Sequence, residues 1–310
     1  MPTTYTHYRF GQEVLARLDE KTATIIRNYK ELYDSGLHGP DLLFYYHALR
    51  SNDVVRLGNR LHDLPGKVFF ENALSVLEKA PHPGPSLAYL YGFLCHFALD
   101  RRCHAYIEPY VLESGVSHLS LEAELDRHFL LKDGKDPFQG SLTRHVVPRK
   151  KNAAVIATFF APLTGLIYGE VSPTKMSDGD SATPMSTIDP ASHDGFSVGP
   201  KEISVAMRSF RFYLDILVCR TRLKRNTLLG LLGLIGAQSY RDLIIREIPD
   251  PRCEKSNRDL EGLYLEAIGD AVRLIQGFGP LIKKKAASDV QLTAEDWDPL
   301  YTFDFGGNPH

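Results

Sequence analysis

One stretch of the sequence carries imidazole and carboxylate side chains at a spacing that suits metal binding. His96, Asp100 and His104 follow one another at four-residue intervals within residues 92–107. On an α-helix each four-residue step turns by about 40°, so the three side chains project from one stripe. His118 and Glu122 repeat the i, i+4 arrangement further along the chain. Groups of these types are common protein ligands of zinc.

The residues around the first stripe are apolar, which decides between a structural and a functional interpretation. A single histidine on an apolar helix face is usually a buried residue with ordinary partners. This stripe, however, combines two imidazoles with a carboxylate among Phe93, Phe97, Leu99 and Ile107. Burying three such groups together without a partner is costly. A divalent cation is the simplest shared partner, so the sequence predicts a metal site here.

Further candidate ligands lie upstream. Nine of the twelve histidines fall in the first 128 residues, where even spacing would place roughly five. His7 precedes the first predicted helix, and His62 follows a predicted turn region around Gly58. Asp41 follows a Gly-Pro pair at the start of a predicted helix, a position that also favours an aspartate as N-cap. Capping and metal binding therefore both remain open for Asp41.

With these residues the sequence resembles the zinc-dependent phospholipases C, which include the bacterial phosphatidylcholine-preferring enzymes and the catalytic domain of α-toxin. The likeness lies in the residue order and in the motifs H-x3-D and H-x3-E, within residues 1–130. It looks closest to cytoplasmic members without a signal peptide. The residues that match the family order are His7, Asp41, His62, His96, Asp100, His104, His118 and Glu122.

The resemblance implies an all-α bundle around a di- or trinuclear zinc site that hydrolyses a phosphodiester. The expected reaction cleaves a phospholipid to diacylglycerol and a phosphorylated headgroup. In this family pattern Asp41 is the candidate general base, and Glu122 is a ligand close to the leaving group. The implied ligand sets are Asp41, His62, His96 and Asp100 for one zinc, His104, His118 and Glu122 for a second, and Asp100 with His7 for a third.

Two features of the family are missing. Secreted members begin, after processing, with a tryptophan whose amine and carbonyl hold the third zinc, and Pro2 is the residue that offers comparable groups here. The aromatic residue that follows the aspartate in choline-preferring members is Leu42 in this chain. We therefore expect two or three Zn²⁺ ions and do not predict a choline headgroup.

Helical periodicity dominates the rest of the chain, which predicts an all-α fold. We expect one domain over residues 1–285, with a surface loop at 171–200 and an irregular tail at 286–310, neither carrying the chemistry. Cys95 and Cys103 are predicted to be buried packing residues. Helices are predicted over residues 41–51, 87–107, 120–131, 203–225 and 260–276, of which 87–107 carries the metal stripe.

Two apolar runs, residues 153–168 and 228–237, are too short to span a membrane and are predicted to be buried core helices. Basic residues precede both runs, so peripheral contact with a lipid surface is an open alternative. The first residues lack an apolar run of signal-peptide length, and the four cysteines are too sparse for a disulfide framework. These features favour a cytoplasmic location.

The charge balance narrows the substrate. With 36 basic and 38 acidic residues, the formal charge of −2 lacks the basic footprint of a nucleic-acid-binding protein, and phospholipid is the expected partner. Two alternatives remain open: a nuclease-like zinc phosphodiesterase of the same fold, and a non-catalytic, metal-holding lipid-binding protein. An HD-type phosphohydrolase centred on His62 and Asp63 ranks below both, because it leaves the stripe at 96–104 without a role.

Overall fold

A computed structural model of the protein describes residues 4–168, 196–234, 238–287 and 292–310. Within these ranges the fold is all-α, as predicted, and contains no β-strand beyond an isolated bridge between Phe303 and Pro309. The α-helices are α1 (Thr4–Leu15), α2 (Glu20–Asn28), α3 (Lys30–Gly36), α4 (Asp53–His62), α5 (Gly66–Lys79), α6 (Gly84–Ser114), α7 (His118–Lys132), α8 (Lys150–Phe160), α9 (Pro200–Leu217), α10 (Arg222–Leu234) and α11 (Pro251–Ala286).

The long helix α6 forms the centre of the bundle. Its residues from Ala88 to Asp100 are buried without interruption, as expected of a helix surrounded by others. Helices α3 and α11 make its most extensive contacts. Gly36 and Gly92 allow α3 to approach α6 closely, because a Cβ atom on Gly92 would lie 2.1 Å from the Tyr33 carbonyl oxygen. The helix that carries the predicted metal stripe is therefore fixed in the core.

Helix boundaries near the stripe follow from local sequence. Gly115, with φ of +65°, ends α6 in the left-handed conformation that favours glycine. Ser117 then caps α7, since its side-chain oxygen accepts a hydrogen bond from the Ser120 amide. The turn between α6 and α7 thus sets His118 at the first position of α7, close to the end of the metal helix.

Three local predictions were wrong. Residues 41–51 do not form an α-helix; a 3-10 helix, Gly39–Tyr45, lies there instead. Gly58 lies inside α4 and not in a turn, because its small size accommodates the ring of Phe44. The helix predicted over 203–225 ends at Leu217, since Thr221 caps a new helix by accepting a hydrogen bond from the Lys224 amide.

The two apolar runs behave differently. Residues 153–163 include much buried side-chain surface, as predicted for a core helix. The prediction for residues 228–237 was wrong for α10, in which Leu232 is the buried residue, while residues 235–237 lie outside the described ranges. In the described part of the chain, every helix is too short or too polar to cross a bilayer. Most of the predicted loop, residues 171–195, also lies outside the described ranges.

Candidate metal centre

Four predicted ligands from three separate elements meet beside the middle of α6. His7 comes from α1, Asp41 from the 3-10 helix Gly39–Tyr45, and His96 and Asp100 from α6. One ligand-type atom from each of the four lies within 4.8 Å of the others, and all four residues are buried. The Asp100 carboxylate oxygens lie 3.1 Å from His7 Nε2 and 3.2 Å from His96 Nε2. We call these four residues the first cluster.

Asp41 faces into the first cluster and does not cap a helix. His38 occupies the N-cap position of its 3-10 helix, with no side-chain capping bond there. Gly39 has φ of +46°, and a Cβ atom on it would lie 2.1 Å from the His96 ring. Glycine at this position therefore lets the 3-10 helix approach α6 closely enough for the Asp41 carboxylate to come within 3.9 Å of His96 Nε2.

His62 joins the first cluster at its edge through Asp41. His62 Nε2 lies 3.0 Å from Asp41 Oδ1, and the other ring nitrogen, Nδ1, lies 2.7 Å from the Gly58 carbonyl oxygen. A carbonyl oxygen can only accept, so Nδ1 carries the proton and Nε2 presents its lone pair towards Asp41. Metal-ligating histidines are commonly oriented by such a backbone carbonyl.

The remaining three predicted ligands form a second cluster at the junction of α6 and α7. Ligand-type atoms of His104, His118 and Glu122 lie within 4.8 Å of one another. Glu122 Oε1 is 3.5 Å from His104 Nε2 and 3.1 Å from His118 Nε2. His118 is partly exposed, at 27% of its side chain, so this cluster is open towards solvent.

Asp100 lies between the two clusters. Its Oδ2 atom is 3.2 Å from His96 Nε2 and 4.0 Å from His104 Nε2. The i, i+4, i+8 spacing on α6 therefore places one carboxylate between an imidazole of each cluster, as a bridging ligand requires.

The charge states of the buried groups suit cation binding. Burial alone would raise the pKa of Asp100, but the imidazoles of His96 and His104 hold it well below the ordinary value. Burial would likewise raise the pKa of Glu122, and the adjacent His118 and His104 lower it instead. Burial lowers the pKa of His96 to about 4, against the pull of Asp100. The carboxylates are thus ionised and His96 is neutral, which are the forms that ligate metal. Burial lowers the pKa values of His7 and His104, but Asp100 and Glu122 raise them above the ordinary value, so metal binding would displace protons from these two rings.

Several of these atoms lie close to one another but form no hydrogen bond. Both carboxylate oxygens of Asp41, both ring nitrogens of His96, and His62 Nε2 are buried and make no hydrogen bond within the described part of the chain. Leaving such groups unsatisfied is costly in a folded protein. A nitrogen and oxygen donor set of histidine, aspartate and glutamate fits Zn²⁺, so these residues fit the metal that the sequence resemblance implies.

Asp126, on α7, holds the start of α1. Its carboxylate accepts hydrogen bonds from the backbone amides of Tyr5 and Thr6 and from the Thr6 hydroxyl, at 2.8–3.0 Å. These are first-turn amides of α1, which have no partner within the helix. Asp126 on α7 therefore fixes the turn of α1 that presents His7 to Asp100.

Sequence reasoning missed the contribution of residues 303–310. Phe305 is buried, and its ring centroid lies 5.1 Å from that of His62 and 5.7 Å from that of His96. Its backbone N–H donates to the His62 carbonyl oxygen. The tail was expected to be irregular and without a role in the chemistry, but this segment covers two predicted ligands. No local sequence signal pointed to that contact.

Two further histidines, which the sequence left unassigned, pack beside the first cluster. His38 is fully buried, and its Nε2 atom lies 2.7 Å from His145 Nε2. One nitrogen must donate and the other accept, and burial lowers the pKa of both imidazoles, so the pair is neutral. The ring of Tyr8 stacks on His145 at 4.3 Å between centroids. His47 and His82, by contrast, are exposed.

A small apolar pocket adjoins the second cluster. Glu122 contributes to its wall together with Leu214, Leu217, Leu243 and Ile245. These apolar residues come from the end of α9 and from the segment that precedes α11. A ligand group held by the second cluster would therefore meet apolar side chains on this side.

The described residues thus form an all-α fold with two clusters of histidine and carboxylate side chains that could hold metal ions. A family model, Zinc dependent phospholipase C, matches residues 6–163, which is half of the chain and includes all eight predicted ligands. The chain belongs to the zinc-dependent phospholipase C family. Comparisons with curated proteins and with solved structures find no significant match.

Proposed function

We propose that this protein is a zinc-dependent phosphodiester hydrolase that cleaves a phospholipid to diacylglycerol and a phosphorylated headgroup. The observation that supports this most strongly is the position of Asp100, within 3.1–4.0 Å of His7, His96 and His104. That arrangement joins two ligand clusters through one carboxylate, as a site for two or three zinc ions requires. Membership of the family supports phospholipase C-type chemistry.

The proposed ligands divide by cluster. Asp41, His62, His96 and Asp100 would hold one zinc, His104, His118 and Glu122 a second, and His7 with Asp100 would contribute to a third. Pro2, the residue considered for the groups that complete this third site, lies outside the described ranges. When bound, zinc supplies a Lewis acid for phosphate oxygens and acidifies water near neutral pH.

The protein's own residues would position and move protons around the phosphate. Asp41, ionised and buried, is the proposed general base: it would accept a proton from the attacking water. Glu122 is the proposed ligand closest to the leaving group, and the apolar side chains of the small pocket lie beside it. The partly exposed His118 marks the side from which a phosphate group would enter.

The test is a side-by-side assay on phospholipid micelles, a chromogenic choline phosphodiester and single-stranded DNA. We expect release of diacylglycerol, and its loss in His96→Ala. His82→Ala, which changes an exposed histidine outside both clusters, is the matched control and should retain activity. Cleavage of DNA alone would replace the proposal with a nuclease-type phosphodiesterase. Metal binding without cleavage of any of the three would indicate a non-catalytic lipid-binding protein.

A further inference from the structure

Helix α10 presents apolar side chains to solvent. Leu223, Leu231 and Leu234 are 78%, 52% and 88% exposed. Nearby Ile248 is 82% exposed, and Glu247, next to it, pairs with Arg222 in the first turn of α10. Single exposed leucines are ordinary, but several together on one element mark an interaction surface.

These leucines lie on one face of the helix. At 100° per residue, Leu223, Leu231 and Leu234 fall within an arc of about 100°, which they share with Thr227 and Gly230. The buried Leu232 lies on the opposite side. Helix α10 therefore carries leucines on its outer face as well as on its inner one. We call this outer face, with Leu223, Leu231 and Leu234, the α10 surface.

The same region is basic. No acidic residue occurs in the sequence between Asp215 and Asp242. Basic side chains concentrate where α10 begins, in a chain whose overall charge is −2. They are Arg220, Arg222, Lys224 and Arg225.

The segment after α10 is attached to the second cluster's helix. Asp242 accepts a hydrogen bond of 2.7 Å from the Ser117 hydroxyl, next to His118. Arg246 donates to the Ser120 hydroxyl at 3.3 Å. The neighbouring Leu243 and Ile245 line the apolar pocket that Glu122 also contacts. The segment thus lies beside the second cluster, and α10 is tied to it by the ion pairs of Arg222 and Arg225 with Glu247.

We propose that the α10 surface docks on a lipid bilayer that contains anionic lipid, with the leucines entering the acyl boundary and the basic residues contacting headgroups. Apolar residues beside a basic cluster complement such a membrane, and here four basic residues outnumber Glu247, which pairs with Arg222 and Arg225. A second copy of this chain fits less well, because its α10 would cover the leucines but contains no acidic residue to pair with the basic ones. This inference rests on the proposed function, since docking would bring phospholipid to the clusters.

The test compares sedimentation of the full chain with vesicles of phosphatidylcholine alone and of phosphatidylcholine with phosphatidylserine. Wild-type protein should sediment with the anionic vesicles. The double variant Leu223→Glu/Leu234→Glu should bind them with an affinity at least about tenfold lower. Leu131→Glu/Leu265→Glu changes two other exposed leucines, on α7 and α11, and is the matched control. Melting temperature and light scattering establish that all three are folded and report their oligomeric state.

The outcomes separate docking from catalysis. The α10 variant should show a lower ratio of vesicle hydrolysis to soluble diester hydrolysis than the control variant. Vesicle binding that the α10 variant loses, without hydrolysis of any substrate, supports docking and overturns the proposed function. Hydrolysis of the soluble diester without vesicle binding overturns docking alone. If the wild type is a dimer, does not bind vesicles and becomes a monomer in the α10 variant, the α10 surface contacts a second copy. That result also overturns docking on a membrane.

Discussion

The ring of Phe305 lies against the imidazole of His62, with 5.1 Å between ring centroids and a 3.3 Å hydrogen bond from the Phe305 N–H to the His62 carbonyl oxygen. His62 Nδ1 is bonded to the Gly58 carbonyl oxygen on its own helix. The imidazole is therefore held from two sides, by a local backbone group and by a residue from the far end of the sequence.

Replacing Phe305 with alanine should lower zinc affinity by more than the accompanying loss of folding stability accounts for. Phe305→Ala is expected to lower the free energy of unfolding by about 3–5 kcal/mol, as for other buried phenylalanines. Because it also frees the His62 ring, zinc affinity should fall by about 10- to 100-fold. Competition with a chromogenic chelator measures the affinity.

The matched control for Phe305 is Phe278→Ala. Phe278 is equally buried but packs on Phe70, away from both clusters. It should lose similar stability and keep the wild-type zinc affinity. Equal zinc affinities in the two variants would contradict the role assigned to Phe305.

Removing metal should destabilise the whole bundle. The clusters join residues from α1, the 3-10 helix Gly39–Tyr45, α4, α6 and α7. A ligand present at a thousand times its Kd stabilises the native state by about 4 kcal/mol per site. We expect a chelator to lower Tm in wild-type protein and in His82→Ala, and by a smaller amount in His96→Ala. A chelator that leaves the wild-type Tm unchanged would argue against bound metal.

Asp41→Asn should separate catalysis from the second cluster. The amide keeps the size of the carboxylate but loses its charge and its ability to accept a proton from water. We expect kcat to fall by about 10²- to 10⁴-fold. Zinc should remain at His104, His118 and Glu122, which elemental analysis of the variant checks. Asp259→Asn, on the surface of α11, is the control; activity of Asp41→Asn within tenfold of that control would exclude Asp41 as the base.

The neutral His38–His145 pair predicts sensitivity to acid. Burial, with the charges of Lys30 and Arg211, lowers the pKa of His145 to about 3, while a histidine in the unfolded chain titrates near its ordinary pKa of 6.5. The unfolded state therefore binds more protons between pH 6.5 and 3. Stability from this group is complete above pH 6.5 and declines below it, by at most about 1.4 kcal/mol per pH unit.

The variant His145→Gln tests this dependence. Its Tm should fall less steeply than that of wild type between pH 6.5 and 4. Both proteins are measured without metal, so that protonation of the zinc ligands affects them equally. The neighbouring groups Tyr8, His38, Lys30 and Arg211 are retained in both. Identical pH profiles would mean that His145 titrates normally in the folded protein.

Parts of the site were accessible from local sequence because helical spacing is a local property. His96, Asp100 and His104 share a stripe whatever surrounds α6, and His118 and Glu122 lie one turn apart for the same reason. Asp41 and His62 were candidate ligands by residue type, and the family resemblance assigned them to a metal, but their immediate structure was predicted incorrectly. The approach of Asp41 depends on Gly39 in the left-handed region against the His96 ring, a tertiary contact.

What the sequence did not reveal depends on contacts between distant segments. Nothing near Phe305 in the sequence indicates that it covers His62, and nothing near His145 indicates its partner His38. The leucines of the run 228–237 were predicted to be buried, but apolar composition does not specify which element covers a helix. Leu232 is covered, whereas Leu231 and Leu234 face solvent.

Zinc content is the most direct test of the two joined clusters. Elemental analysis of the purified, dialysed full chain should give at least two zinc ions per folded molecule, and three if the site at His7 is complete. His96→Ala and His118→Ala should each lower that number. A folded protein that retains no zinc after incubation with it would contradict both the ligand assignment and the proposed hydrolase.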